Sequence, residues 1–382
     1  MDEIYLDNAA TTRPLSEVIN RVTEVMENDF GNPSSLHHRG AAAERHIQQT
    51  RKFLATLLEV KPGEIYFTSG GTESNNLALK GTALNYKNRG QHLITTQIEH
   101  PSVYNAFKSL EETGFKVTYL QPDSRGIISP QQLQKALKPE TILVSIMYVN
   151  NELGSLEPVS KLAQTIKNYS RDIFFHVDAV QALGKIPLHP QQDNIDLLTV
   201  SAHKINGPQG VGALYMKNGM MIKPLLEGGG QERDLRSGTE NTPGIAGFLP
   251  ALKNIPKQVN GGSTDEQLAS LKQFTIRQIQ NTISRVQINT PQQSAPHIIN
   301  ISLPDIKGEV LVHALEEDDI YVSTGSACHS RQKINNRILK AINLSEKYLE
   351  GTIRISLSAL NTKQEMEHTV HKIKEKIDYL HI

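Results

Sequence analysis

The segment Leu197-Leu198-Thr199-Val200-Ser201-Ala202-His203-Lys204 joins an apolar, β-branched run to a polar turn that ends at Gly207-Pro208. This pattern predicts a buried strand with a lysine just past its end. A lysine in such a place can lose water, give up its proton more easily and act as an amine nucleophile toward a carbonyl. Pyridoxal 5'-phosphate is the main cofactor that needs a lysine of this kind. Most lysines are solvated surface charges, so a pyridoxal site requires further groups elsewhere in the chain.

Strand and helix patterns alternate around this segment, from about Glu64 to Met216. They include a buried strand predicted over Thr141 to Val149 and an amphipathic helix over Pro158 to Tyr169. Such alternation predicts an α/β domain with a mostly parallel sheet covered on both faces. In these sheets ligands collect beyond the carboxyl ends of the strands, which is where Lys204 falls.

The alternation of strand and helix patterns ends near Gly261-Gly262-Ser263, after which a long helical pattern and shorter strand patterns follow. We therefore predict a large domain over residues 15–260. Residues 1–14 and 261–382 are predicted to form a smaller α+β domain. This smaller domain includes a helix predicted over Arg331 to Ala341 and carries Cys328.

The composition limits the class of protein. The 382 residues carry 40 basic and 40 acidic side chains, so the formal net charge is zero. This balance argues against a general nucleic-acid-binding protein, which would show a basic excess. No apolar run reaches the ~20 residues of a membrane-spanning helix, and the start Met1-Asp2-Glu3 has neither a basic leader nor an apolar signal core. We therefore expect a cytoplasmic protein that binds neither nucleic acid nor a membrane.

Cys328 is the only cysteine, which excludes an internal disulfide and a thiolate metal cluster; no metal site is expected. It lies in the small, polar segment Ser323 to Ser330, which is more typical of an exposed loop than of a core strand. An accessible thiol becomes reactive when its pKa is lowered. The alternative is an inert, buried cysteine.

A candidate phosphate site lies where Ser69-Gly70-Gly71-Thr72-Glu73-Ser74 joins a strand to a helix. Two glycines permit tight turning and close approach of the backbone. The start of the helix offers N–H groups and partial positive charge to an anion, so Gly71 and Thr72 are candidate phosphate ligands. The alternative is an ordinary glycine turn with Thr72 as the helix cap.

Further candidate ligands of a pyridoxal ring follow other strands. Asp178 ends a strand, and its carboxylate would suit a protonated pyridine nitrogen, which makes the ring an electron sink; it could instead cap the next segment. His100 could stack on the ring, although a lone histidine is more often structural. Gln181 could donate to the phenolate oxygen of the ring, and Ser201 and His203 could add phosphate contacts.

Arg354 places a charge inside the apolar strand Thr352 to Ser356. Strand interiors rarely hold an arginine without a partner. Its planar guanidinium matches a substrate carboxylate through two parallel hydrogen bonds. An intramolecular salt bridge is the alternative. Asn151, which follows the strand predicted to end at Val149, could assist at the substrate or at the cofactor ring.

Together these groups amount to a pyridoxal site for an amino acid, and the chain resembles the cysteine desulfurases of the NifS/IscS-like family, in the fold-type I class of pyridoxal-phosphate enzymes. The resemblance covers essentially the whole chain. It is carried by eight segments: Tyr5 to Thr12, Gly31 to Ser35, Thr68 to Asn76, Val149 to Glu152, His176 to Gln181, Ser201 to Lys204, Arg236 to Thr239 and Gly325 to Cys328.

The resemblance implies an enzyme that converts L-cysteine to L-alanine. Lys204 would hold the cofactor and remove the α-proton of the substrate, and His100 would also move protons at the ring. Cys328 would take the sulfur as a persulfide and pass it to an acceptor protein for iron–sulfur cluster assembly, tRNA thiolation or thiamine synthesis. The resemblance also implies a homodimer in which Thr239 reaches the phosphate of the partner subunit's cofactor. His329 departs from the family pattern, where threonine is common.

Three other functions stay open from the sequence. An aminotransferase would use the same lysine, aspartate and arginine without needing an exposed thiol. A selenocysteine lyase would cleave a heavier substrate with similar groups. A noncatalytic scaffold for sulfur-transfer partners would not need the full site.

Overall fold

The computed structural model describes residues 3–255, 264–324 and 336–380. Apolar and β-branched runs form its strands, and the central ones are buried along their whole length. The described part contains twelve strands: β1 Ile4–Tyr5, β2 Ile65–Thr68, β3 His92–Thr96, β4 Lys116–Leu120, β5 Thr141–Ser145, β6 Phe174–Asp178, β7 Leu197–Ser201, β8 Gly212–Met216, β9 Gln287–Ile288, β10 Ile298–Ser302, β11 Ile320–Tyr321 and β12 Thr352–Ser356.

Seven of these strands form the central sheet in the order β2-β8-β7-β6-β5-β3-β4. β3 to β7 pair in parallel, whereas β8 runs antiparallel to both of its neighbours, β7 and β2. The predicted mostly parallel sheet is therefore confirmed. Because β2 points the same way as β7, the carboxyl ends of six strands meet at one edge of the sheet, and the turns that follow them lie together.

Helices cover both faces of the central sheet, and twelve occur among the described residues. The predicted helix over Pro158 to Tyr169 begins at Val159 and buries its apolar stripe against the core, as the pattern indicates. The helices are α1 Ser16–Asn28, α2 His38–Leu57, α3 Gly71–Asn85, α4 Pro101–Glu112, α5 Pro130–Ala136, α6 Val159–Tyr169, α7 Thr242–Asn254, α8 Thr264–Thr282, α9 Gly308–Glu316, α10 Arg337–Ala341, α11 Glu346–Leu349 and α12 Lys363–Leu380.

A second group of elements surrounds the three-stranded antiparallel sheet β12-β10-β9. Its buried cluster joins Ile4 and Leu6 of the amino terminus to apolar side chains of α8, α9, β10, β12 and α12. The amino terminus reaches this cluster because β1 pairs in parallel with β11. The domain limits 15–260 and 1–14 with 261–382 stay a prediction, and the packing of the amino terminus supports them.

Some elements differ from the sequence pattern. α1, α2 and α7 were not predicted, and the strand predicted over Thr141 to Val149 ends at Ser145. Beyond Ser145 the chain leaves the sheet, although Ile146, Met147 and Val149 stay buried, so an apolar run here marks burial rather than strand length. Within the described residues, the helix predicted over Arg331 to Ala341 begins at Arg337.

Candidate active site

A cavity of about 340 Å³ lies beyond the carboxyl ends of the central strands. Ten of the candidate residues line it. They come from the carboxyl ends of β6 and β7, from the segments that follow β2, β3, β5, β6 and β7, and from strand β12. They are Gly71, Thr72, His100, Asn151, Asp178, Gln181, Ser201, His203, Lys204 and Arg354. The fold thus brings candidate residues that are up to 283 positions apart in sequence, Gly71 and Arg354, to the same cavity.

The start of α3 forms one end of the cavity. Gly70 precedes the helix at φ +149°, a backbone conformation that favours glycine. At Gly71 a Cβ atom would lie 2.8 Å from Val180 Cγ2, so the close approach of the two segments requires glycine. The buried hydroxyl of Ser201 has no hydrogen-bond partner among the described residues. The helix start and this unsatisfied hydroxyl fit the phosphate of pyridoxal phosphate.

Lys204 ends the short 3₁₀ turn Ala202–Lys204 that follows β7. Its ammonium donates to the carbonyl oxygens of Ala9 and Ala10, at 2.5 Å and 2.6 Å. The lysine is only half-buried, so it is less desolvated than the sequence suggested. The amino-terminal segment therefore forms part of the site, and its carbonyls hold Nζ inside the cavity.

Asp178 lies at the end of β6, beside Thr199 of β7 in parallel register. Its Oδ1 accepts from the backbone N–H of Val180 at 3.0 Å, and its Oδ2 accepts from Asn75 Nδ2 at 2.8 Å. Burial raises the pKa of Asp178, while these two hydrogen bonds and the charge of Lys204 oppose the rise. A buried carboxylate of this kind gains a partner when a cationic ring nitrogen binds, which suits pyridoxal phosphate.

Gln181 is oriented by two hydrogen bonds to other residues of the chain. Its Nε2 donates to the carbonyl of Ala9 at 2.8 Å, and its Oε1 lies 3.2 Å from Nε2 of the buried His297. These two contacts fix which end of the amide holds the nitrogen. Each amide nitrogen has two donors, so the second N–H of Gln181 remains to serve a ligand oxygen.

Arg354 is 3% exposed and forms an intramolecular salt bridge, which the sequence left open as the alternative to a substrate contact. Its Nη2 pairs with Asp7 Oδ1 at 2.7 Å, and its Nη1 donates to the carbonyl of Asn151 at 2.8 Å. Its Nε is buried without a partner among the described residues, as is Oδ1 of Asn151. The salt bridge to Asp7 thus holds the guanidinium at the cavity and leaves donor capacity for a carboxylate.

Two charged residues that the sequence did not single out also line the cavity, Glu152 and Arg337. Arg337 Nη2 donates to the carbonyl of Glu99 at 2.5 Å, and its guanidinium lies 4.1 Å from the ring centre of Tyr104. Burial raises the pKa of Glu152 to about 7, and the charges of Arg354 and Arg337 oppose that rise. Glu152 is therefore a cavity group that can change its charge near neutral pH.

Two candidates remain. Thr239 is exposed and does not line this chain's own cavity. Cys328 lies outside the described residues. The described residues on either side of it are placed at the site: Ser323 forms two backbone hydrogen bonds with Arg354, and Arg337 lines the cavity.

Similarity to known proteins agrees with this geometry. The family model "Aminotransferase class-V" matches residues 4–368. A "Cysteine desulfurase IscS" of Dictyoglomus turgidum is 41% identical over 383 residues, covering 99% of this chain and 95% of that protein. A solved structure described as "NIFS-LIKE PROTEIN" is 38% identical with a TM-score of 0.92, covering 99% of this chain and 100% of the other. Another, "SspA in complex with cysteine", is 36% identical with a TM-score of 0.83, covering 94% and 100%.

The chain therefore belongs to the class-V aminotransferase family, whose fold is that of the fold-type I pyridoxal-phosphate enzymes. Its relatives narrow the assignment further, because curated homologues at about 40% identity over nearly full length are cysteine desulfurases. It is a pyridoxal-phosphate-dependent cysteine desulfurase of the NifS/IscS type. No helix among the described residues is long and apolar enough to cross a membrane.

Proposed function

We propose that this enzyme removes sulfur from L-cysteine, releases L-alanine and passes the sulfur, as a persulfide on Cys328, to an acceptor protein. The observation that carries the proposal is that Lys204, Asp178 and Arg354 line one cavity. When bound, pyridoxal phosphate withdraws electrons from the substrate and so weakens its Cα–H and Cβ–S bonds. The similar structure "SspA in complex with cysteine" supports cysteine as the ligand.

Eight residues that line the cavity are assigned to the cofactor. Lys204 Nζ would exchange its two carbonyl contacts for the cofactor and would then carry the α-proton of the substrate. Asp178 would keep the ring nitrogen protonated, since its carboxylate is already held by two donors. His100 would lie on the ring face, and Gln181 would donate to the ring oxygen. Gly71, Thr72, Ser201 and His203 would contact the phosphate.

Arg354 would bind the substrate carboxylate. Asp7 and Asn151 each accept from one terminal nitrogen of its guanidinium, so Nε and the second N–H of each terminal nitrogen are left for the ligand. Asn151 would add its buried Oδ1 at the substrate or the ring. A bidentate guanidinium contact orients the substrate more strongly than a single ammonium does, which favours arginine at this position.

The chain connection to Ser323 would allow Cys328 to reach the cavity. Cys328 follows Ser323 by five residues, and five extended residues span at most ~17 Å. Ser323 itself pairs with the strand of Arg354. The Cys328 thiolate would attack the substrate sulfur, so that an S–S bond forms and the Cβ–S bond breaks, with its electron pair left on the carbon side. Protonation of Cβ then gives alanine, so the step needs no external reductant or oxidant.

We also propose a homodimer in which Thr239 contacts the partner subunit's cofactor phosphate. Glu73, in the first turn of α3, forms an ion pair with Arg236 at 2.8 Å. This pair connects the phosphate-binding turn to the segment that ends at Thr239. The sulfur acceptor would serve iron–sulfur cluster assembly, tRNA thiolation or thiamine synthesis. A cytoplasmic location stays a prediction.

The test is an assay of the purified protein with L-cysteine, in which alanine is measured first and sulfide is measured after addition of a reductant. We expect both products, and a gain of roughly 32 Da (one sulfur) on the protein. Cys328→Ser should abolish both the mass gain and sulfide release. Equal activity in Cys328→Ser would exclude the persulfide step, and product formed only with an added keto acid would indicate transamination.

A further inference from the structure

A buried chain of hydrogen bonds connects Asp178 to His100. Asn75 Nδ2 donates to Asp178 Oδ2 at 2.8 Å and also to Ser102 Oγ at 2.8 Å. Ser102 Oγ lies 2.8 Å from His100 Nδ1. Asn75 and Ser102 are both buried, so water does not compete for these contacts. The chain spans three elements, since Asn75 lies on α3, Ser102 in the first turn of α4 and Asp178 at the end of β6.

The direction of each hydrogen bond follows from the chemistry of the groups. An ionised Asp178 only accepts, so the nitrogen of the Asn75 amide must face it. The second N–H of Asn75 points to Ser102 Oγ, so the Ser102 hydroxyl proton is left for His100 Nδ1. The backbone N–H of Ser102, which can only donate, also points to Nδ1 at 3.1 Å. Nδ1 therefore carries no proton, and the neutral ring of His100 carries its proton on Nε2.

We propose that Asn75 is a positioning residue that, through Ser102, holds Asp178 and His100 as one unit and sets the tautomer of His100. The inference rests on the proposed function, in which Asp178 meets the nitrogen of the pyridine ring and His100 lies on its face. The two groups touch different parts of the same ring, so a rigid link between them fixes the ring in two directions. α3, which carries Asn75, also offers its start to the phosphate, so one helix orients three contacts of the cofactor.

The proposal is tested directly by determining the tautomer of His100, a measurement that does not depend on enzyme activity. Nitrogen NMR of the holoenzyme with labelled histidine would report the protonation of each ring nitrogen, with the His100 signals assigned by their absence in His100→Gln. We expect a proton on Nε2 and none on Nδ1. A proton on Nδ1 would overturn the proposal, because the backbone N–H of Ser102 could then not donate to it.

Variants test whether Asn75 and Ser102 act together. Asn75→Ala is expected to lower kcat about tenfold with a smaller change in KM, because the cofactor is misaligned rather than the substrate released. The visible circular dichroism per bound cofactor should also fall, since the ring is held less rigidly. Asn85→Ala, which removes an exposed asparagine of α3, and Ser109→Ala on α4 are the matched controls.

The double variant separates positioning from ordinary packing. If Asn75 acts on His100 through Ser102, the combination of Asn75→Ala and Ser102→Ala should lose little more kcat than Asn75→Ala alone. Losses that multiply, or single variants that behave like the controls, would contradict the proposal. Failure of the proposed function would look different, because the wild-type enzyme would then form no alanine from L-cysteine whatever tautomer His100 adopts.

Discussion

Replacement of Arg354 by alanine is expected to raise the KM for L-cysteine far more than it lowers kcat. The guanidinium is 3% exposed, so its contact with a carboxylate is shielded from water. A charge-assisted hydrogen bond contributes about 1.5–3 kcal/mol. Since about 1.4 kcal/mol is a factor of ten in affinity, KM should rise between about tenfold and roughly 150-fold. Steady-state kinetics with alanine as the measured product would show this change.

The same substitution also leaves Asp7 without its cation, which will destabilise the fold. The matched control is Arg51→Ala, because Arg51 forms another buried ion pair, with Glu232 at 2.6 Å, and does not line the cavity. Both variants should unfold at lower urea concentration than the wild type, but only Arg354→Ala should show a raised KM. Equal KM values in the two variants would show that Arg354 is structural and that another group binds the carboxylate.

Three further outcomes are expected. Lys204→Ala should lose the visible absorption of the lysine-bound cofactor, and a reducible cofactor adduct on another residue would refute the assignment. Gly71→Ala should weaken cofactor affinity, because its Cβ would meet Val180 at 2.8 Å, whereas Gly63→Ala, with open space around it, should bind normally. Burial lowers the pKa of His176 to about 3. Between pH 6.5 and about 3 the unfolded chain therefore binds more protons at His176 than the folded protein does. The free energy of unfolding should fall as pH falls through this range. Urea denaturation at several pH values would measure the slope, which His176→Gln should flatten; an unchanged slope would contradict the reasoning.

The parts of the site that follow a strand could be predicted from the sequence. Lys204 and Asp178 come directly after buried apolar runs, and such runs place their carboxyl ends at one edge of a parallel sheet. The start of α3 was also predictable, because two glycines before a helical pattern suit an anion. In each case a few adjacent residues both predict the local secondary structure and include the side chain or backbone groups that would bind the ligand.

The supporting contacts could not be predicted, because they join distant residues. Asp7 and Arg354 are 347 positions apart in sequence, and Asn75 and Asp178 are 103 positions apart. No local pattern shows that β1 pairs with β11 and thereby carries Asp7 to the site. α2 and α7 were missed for a related reason. Their largest contacts are with other helices rather than with the sheet, so a strand–helix alternation does not reveal them.

The strand that would bind the substrate also fixes the start of the segment that contains Cys328. Ser323 and Arg354 exchange both backbone hydrogen bonds, at 3.1 Å and 2.6 Å, while the side chain of Arg354 is held by Asp7. Any shift of β12 would therefore move the carboxylate-binding group and the anchor of the cysteine segment together. Attack on sulfur requires the two sulfur atoms to meet with the substrate already oriented, and in the proposed function one strand would serve both requirements. Asp7→Ala would free the guanidinium of Arg354 and loosen this strand, so it should slow persulfide formation even at saturating L-cysteine. Rapid mixing followed by mass measurement would detect the delay. An undiminished rate would show that substrate orientation and placement of the cysteine segment are independent.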